Sequence, residues 1–167
     1  MLARGLATAI VVAILDQLSK AAVLVFFAGR GFGDRETVTS FFNLALTYNR
    51  GISFGLFSGA AGVNALVFSV AAAAIVAVLI YWLSRAASPF LAVAIGLIIG
   101  GAVGNVIDRL RLGAVVDFLD FHLGGAHWPA FNLADSAICI GVAAMLLDGL
   151  LPRREAHQVA SRQRRVD

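Results

Sequence analysis

Four apolar runs, each long enough to cross the hydrocarbon core of a bilayer, constrain this chain more than any other feature. They cover roughly residues 6–27, 62–83, 89–107 and 134–151, and about 20 apolar residues suffice for a spanning helix. With 60% hydrophobic and only 14% charged residues, a chain of this length could not hide its apolar surface from water, whereas a bilayer solvates it. The expected fold is therefore a membrane all-α protein, a four-helix transmembrane bundle in one domain over residues 1–152. A basic tail follows over 153–167. The sequence pI near 9.8 does not point to nucleic acid, because the cations are not gathered among aromatics. Five of them, Arg153, Arg154, Arg162, Arg164 and Arg165, sit in the tail beside the fourth span, where basic residues set topology or meet anionic lipid.

The first run opens like a signal peptide, with Arg4 ahead of apolar residues, but Asp16 and Lys20 interrupt it and no small-residue cleavage site closes it. It is read as a retained span. The third run starts at Pro89, which suits a first helical turn, and repeats glycine at 96, 100 and 104. That period of four lays a smooth stripe on which another helix can pack closely. The one cysteine, Cys139, excludes an internal disulfide or a cysteine-based metal cluster, and its apolar neighbours predict a packed thiol.

Orientation follows from the arginines. An even number of spans puts both termini on one side, with Arg4, Arg85 and the tail cluster against Arg30, Arg35, Arg50, Arg109 and Arg111 on the other. The tail cluster decides for cytoplasmic termini. The connections 28–61 and 108–133 then lie outside. In the first, Thr37 to Tyr48 is rich in β-branched and aromatic residues, which predicts one or two short strands, and Asn49-Arg50-Gly51 reads as a turn. A small β-rich cradle resting on the extracytoplasmic face is expected.

The polar residues are few enough to weigh singly. Asp16 and Lys20 are four apart on one helical face and suit an intramembrane ion pair. A Ser19–Lys20 nucleophilic dyad is excluded, because helical neighbours point about 100° apart. Asn105, Asp108 and Arg109 close the third run as a possible polar cluster or a simple Asp108–Arg109 pair. The second outer connection brings Asp117 and Asp120, both among apolar neighbours that would raise a carboxylate pKa, and local sequence does not choose between them. Asn132 suits an N-cap of the fourth span, which puts Asp135 at the third helical position, where free N–H groups and the helix dipole favour a negative charge. Asp135 is thus either a capping carboxylate or a functional one. His122, His127 and His157 have no metal-ligand spacing, and no metal or other cofactor is expected.

Taken in order, DQLSK (16–20), YNRGISFG (48–55), GGAVGNVIDR (100–109), VVDFLDF (115–121) and FNLADSAI (131–138) together resemble the lipoprotein signal peptidase (signal peptidase II) family of bacterial membrane aspartic proteases. The likeness runs from about Asp16 to Gly141. It departs in small ways at Ile52 and Ser53, where alanine-sized residues are expected. The resemblance implies that Asp117 and Asp135 are the catalytic pair and that Asp16, Lys20, Asn49, Gly51, Asn105, Arg109 and Asn132 support the site. It also implies a prolipoprotein substrate whose lipobox cysteine already carries diacylglycerol, cleavage just before that cysteine, and no metal or cofactor. The expected setting is the bacterial inner membrane, with the site toward the extracytoplasmic face and a monomeric enzyme among membrane lipid.

Two carboxylates close together share a proton rather than both ionising. Asp135, at a helix N-terminus, is expected to be the ionised partner and Asp117 to hold the proton. Thr37 to Phe57 is expected to form a cradle and lid, and Arg50 either meets a lipid phosphate or remains a solvated loop arginine. A small transporter or channel, with Asp16, Lys20, Asp108 and Arg109 lining an ion path, is the rival reading. It predicts charges spread through the depth of several spans, whereas the second run has none. A scaffold subunit built on the glycine stripe leaves the aspartate motifs unexplained.

Overall fold

The computed structural model describes residues 1–30, 33–51 and 61–150. Its four long helices are α1 (Leu2–Phe26), α2 (Ala61–Ser84), α3 (Pro89–Leu112) and α4 (Leu133–Leu150). All four are long and apolar enough to cross a membrane. Four strands, β1 (Arg35–Thr39), β2 (Phe42–Asn49), β3 (Val115–Leu123) and β4 (Ala126–His127), form one antiparallel sheet in the order β1-β2-β3-β4.

The central helix is α3, packed against α1, α4 and α2. Glycine makes this possible on two faces. A methyl group at Gly96 or Gly100 would run into the backbone carbonyls of Gly5 or Ala9 on α1, and one at Gly104 into the Asp16 carboxylate. On the other face Gly101 meets the Ala134 carbonyl of α4, and Gly141 of α4 meets the Ala94 carbonyl. Without a hydrophobic driving force between helices in lipid, such close backbone approach is what holds them together. The outward surfaces are apolar throughout: Ile10, Val11 and Leu18 on α1, Leu66, Val70 and Ile75 on α2, and Leu146 and Leu147 on α4 are all exposed.

Local signals explain the ends of α3. Ser88 caps it, its Oγ accepting the Leu91 N–H at 3.0 Å with Pro89 in the first turn, and Gly113 ends it in the left-handed conformation at φ +72°. The helix runs to Leu112, five residues past the expected 107. Asp108 and Arg109 therefore belong to its last turns and not to a loop. A polar turn continues a helix readily when each side chain has a partner.

The sheet sits at the C-terminal ends of α1 and α3. Val23 of α1 and Phe27, its C-cap, form an apolar cluster with Leu46 of β2 and with Val116 and Phe118 of β3. Of the one or two short strands expected in 37–48, two are present, β1 and β2. Two further strands, β3 and β4, have no counterpart in the sequence reading, since VVDFLDFHL carries its aspartates inside an apolar run that lacks simple alternation. Cys139 lies on the exposed, outward face of α4 and is not a packed core thiol. Small neighbours such as Ala137 and Gly141 take the inward positions instead. The expected lid over 52–57 and the tail 153–167 lie outside the described residues.

Candidate active site

The site grows from α1. Lys20 and Asp16, one turn apart, pair at 2.8 Å, and Lys20 Nζ also lies 2.8 Å from Asp108 Oδ2 and 3.0 Å from Asn105 Oδ1. All three donors of the ammonium thus have acceptors in a place where Lys20 is 2% exposed. A buried cation is tolerable only with such saturation. Asp16 spends its other oxygen on α4, accepting the Ala134 N–H at 3.0 Å. Gln17, to which the sequence assigned no role, donates to Asp108 Oδ1 at 2.9 Å and to the Gly104 carbonyl at 3.2 Å. Its neighbours Asp16 and Lys20 were the only available signal.

Asp108 does not pair with Arg109, contrary to the simpler sequence expectation. Consecutive residues on a helix point apart, so Asp108 turns inward to Lys20, Gln17 and the Val116 N–H (3.1 Å). Arg109 is half-buried, donates to the Asn105 carbonyl at 3.5 Å and lies 5.6 Å from the Phe68 ring centroid. Its charge is felt by Asp135, Asp117 and Asp108.

Two asparagines carry the network to the aspartates. Asn105 Nδ2 donates to Asp135 Oδ1 at 2.8 Å. Asn132 Nδ2 donates to Asp117 Oδ1 at 2.7 Å and also reaches the Val116 carbonyl at 3.2 Å and Asn105 Oδ1 at 3.3 Å. Asn132 is the N-cap of α4, as its spacing predicts: its Oδ1 accepts the Asp135 N–H at 2.9 Å, and Asp135 Oδ2 accepts the Asn132 N–H at 3.2 Å. This reciprocal pair is a capping box with asparagine and aspartate in place of the commoner residues. The two roles open to Asp135 are compatible, because one oxygen caps the helix while the other faces Asn105.

Asp117 stands on β3 opposite Thr47 of β2 and is 2% exposed. Burial pushes its carboxyl up to about 6; a hydrogen bond from the Asn49 side chain opposes this, the charge of Asp135 adds to it, and Asn132 and Lys20 pull it back. Asn49 Oδ1 accepts the Gly51 N–H at 2.8 Å, and Gly51 takes φ +79°, so the expected turn is present and aims Asn49 at the site. Beside this turn a cavity of about 630 Å³ is lined by Tyr48, Arg50, Leu112 and Ala114. Arg50 is exposed there.

The structure gives different partners to the two aspartates between which local sequence did not choose and of which the resemblance implied Asp117. Asp120 is held in the sheet by Asn43 (3.0 Å), His127 (2.7 Å) and Arg35 (3.5 Å). Burial pushes its carboxyl up, but these hydrogen bonds and the Arg35 charge outweigh it and hold it below the ordinary range. Asp117 faces Asn132 and the charge of Asp135. His122 and His127 stack on one another, 4.9 Å between centroids. Among the described residues no group of His, Cys, Asp and Glu could hold a metal ion.

A multi-pass membrane protein with a buried polar cluster at one end of its bundle, roofed by a small sheet, is the class that fold and site define. Comparison with known proteins narrows it. Residues 8–151 match the family described as signal peptidase (SPase) II. The lipoprotein signal peptidase of Burkholderia vietnamiensis (strain G4 / LMG 22486) is 49% identical over 150 residues, 89% of each chain, and that of Paraburkholderia phymatum (strain DSM 17167 / CIP 108236 / LMG 21445 / STM815) is 47% identical over the same share. Two solved structures of a bacterial membrane enzyme, obtained by the in meso method at 2.3 and 1.9 Å, are each 34% identical. They superpose with TM-scores of 0.72 and 0.75, covering 87% of this chain and 87% of the first, and 89% of this chain and 93% of the second. The chain belongs to the signal peptidase II family.

Proposed function

We propose that the protein is an aspartic endopeptidase of the bacterial inner membrane that removes the signal peptide from diacylglyceryl-modified prolipoproteins, cutting just before the lipidated cysteine. The observation that carries this is the junction at Asn132. One residue donates to Asp117 and exchanges capping hydrogen bonds with Asp135, so two carboxylates from different elements are held on one polar frame within a family of signal peptidases.

Such a pair shares a proton. Burial and the charge of Asp135 favour the neutral form of Asp117, which leaves Asp135, in the first turn of α4, as the base of the pair. Asp135 then takes a proton from a water as that water attacks the scissile carbonyl, while Asp117 donates to the carbonyl oxygen. Collapse of the tetrahedral intermediate breaks the C–N bond. The departing amine takes the proton held by Asp135, and Asp117 recovers its own. Asn105 and Asn132 fix the two carboxylates, Lys20 and Asp16 support the asparagines, and Arg109, Asn49 and Gly51 border the peptide's path. Asp135 is half-buried and so open to water, and the aromatic-rich sheet above it suits an unwound peptide whose acyl chains stay in lipid.

The reading includes a monomer with both termini cytoplasmic, the site near the extracytoplasmic face, residues 1–152 as one catalytic domain, and no cofactor. Its test is cleavage of diacylglyceryl-modified prolipoprotein in liposomes by the parent, Asp117→Asn and Asp135→Asn, with unmodified precursor and a metal chelator as controls. Folded but inactive variants, with a parent that ignores the chelator and spares the unmodified precursor, are expected. A parent that never cleaves, or Asn variants that still do, would leave the pair structural.

A further inference from the structure

We infer that Asp108 is a positioning residue for this peptidase reaction, acting through the backbone of Val116 to hold Asp117 at its working place; the inference rests on the function proposed above. Val116 lies opposite Tyr48 across the β2–β3 pair. Its N–H points to the other edge of β3, the edge along which the Phe118 N–H donates to the Phe131 carbonyl at 3.0 Å. At Val116 no strand among the described residues receives the donor. The Asp108 side chain replaces it, Oδ2 accepting the N–H at 3.1 Å. On the same residue the Val116 carbonyl accepts from Asn132 Nδ2 at 3.2 Å. Two side chains thus stand in for a missing strand immediately before Asp117, so the backbone that projects this carboxylate is tied down on both sides.

Asp108 is itself rigidly held. It is 3% exposed, its Oδ1 accepts from Gln17 at 2.9 Å, and the oxygen that receives Val116 also lies 2.8 Å from Lys20 Nζ. A displacement at this point moves straight into Asp117, and misplacement of a reacting group by about 1 Å can lower the rate on the order of 10²-fold. Asp108 also shares the charge of Lys20 with Asp16. The charged groups about Asp117 are Lys20 and Asp16 from α1, Asp108 and Arg109 from α3 and Asp135 from α4, with Tyr48 the titratable group on β2. Lys20 already opposes protonation of Asp117. Removing the Asp108 charge leaves that opposition less screened, a change that loss of packing alone would not produce.

The test compares the parent, Asp108→Asn and Asp108→Ala on diacylglyceryl-modified prolipoprotein in liposomes, with Asp117→Asn as the inactive reference. Thermal unfolding reports the folded fraction of each. A fall in kcat of about 10- to 100-fold for the alanine variant, a smaller fall for asparagine, which keeps an acceptor for Val116, and a nearly unchanged KM are expected. The limb of the kcat/KM profile on which activity falls with rising pH should move to lower pH in both. Should alanine fail to fold, asparagine alone decides. A folded Asp108→Asn variant with parental kcat and an unmoved limb overturns the inference, as does a loss that only tracks the unfolded fraction with the limb in place. A parent that does not cleave, or an Asp117→Asn variant that does, overturns the proposed function and this inference with it; an active parent with an indifferent Asp108 overturns the inference alone.

Discussion

Lys20 shows how narrow the tolerance is for charge inside the bundle. Its three acceptors, Asp16, Asp108 and Asn105, come from two helices, so removing the ammonium strands two buried carboxylates at once. Breaking a buried ion pair from one side costs about 3–5 kcal/mol, and Lys20→Met is expected to lose about that much, read as a lower denaturation midpoint in detergent. Lys20→Met combined with Asp16→Asn should lose less than the single change, because one stranded charge is gone. Additive losses would show that the pair is not coupled. Asp117 makes a second claim at this scale. Its folded value of about 6 lies above the ordinary 3.8, so the native state binds the proton more tightly than the unfolded chain. The stability that this proton contributes is fully present below pH 3.8 and lost as pH rises through about 6. The gap corresponds to about 3 kcal/mol at most. Asp117→Asn should therefore raise the unfolding temperature more at pH 7.5 than at pH 4, and an equal change at both would contradict the burial argument.

At the scale of elements, α3 is held by what its glycines lack. A methyl group at Gly104 meets the Asp16 carboxylate, whereas one at Gly149, near the end of α4, meets nothing within 4 Å. Overpacking costs about 1–3 kcal/mol, so Gly104→Ala should destabilise the protein and disturb cleavage together, since Asp16 holds both Lys20 and the first turn of α4. Gly149→Ala should be neutral or gain up to about 1 kcal/mol from helix propensity. Matching thermal scans and cleavage rates for the two variants check this. A harmless Gly104→Ala would mean that α1 and α3 are not in the contact described. The capping box of α4 belongs to this scale as well: Asn132 and Asp135 start the helix with one side-chain atom each and frame the site with the other, so a helix start and a chemical group are one structure.

For the whole molecule, the proposed topology has cytoplasmic termini, argued from the tail arginines, and with it the sheet outside and the α2–α3 link inside. After Cys139→Ser, an impermeant maleimide applied to spheroplasts should label Gly124→Cys at the β3–β4 turn and spare Ala87→Cys in the link. The reverse pattern would invert the topology. At this scale too the division between sequence and structure becomes plain. Bilayer-length runs, the Pro89 start of α3, the Asn132 cap and the glycine period are written in local order, because helix formation in lipid, capping and close packing depend on residues a few positions apart. The ordered motifs around Asp16, Asn105, Asp117 and Asp135 were legible for the same reason, through their resemblance to a family. What local order did not contain were contacts between distant segments. β3 became a strand because β2 lay ready to pair with it, Asp108 turned from Arg109 to Lys20 because α1 packs against α3, and Asp120 was claimed by Asn43 and His127 while Asp117 met Asn132. Which of two similar aspartates sits with Asp135 is a matter of partners brought together across the chain, and only the tertiary structure supplies them.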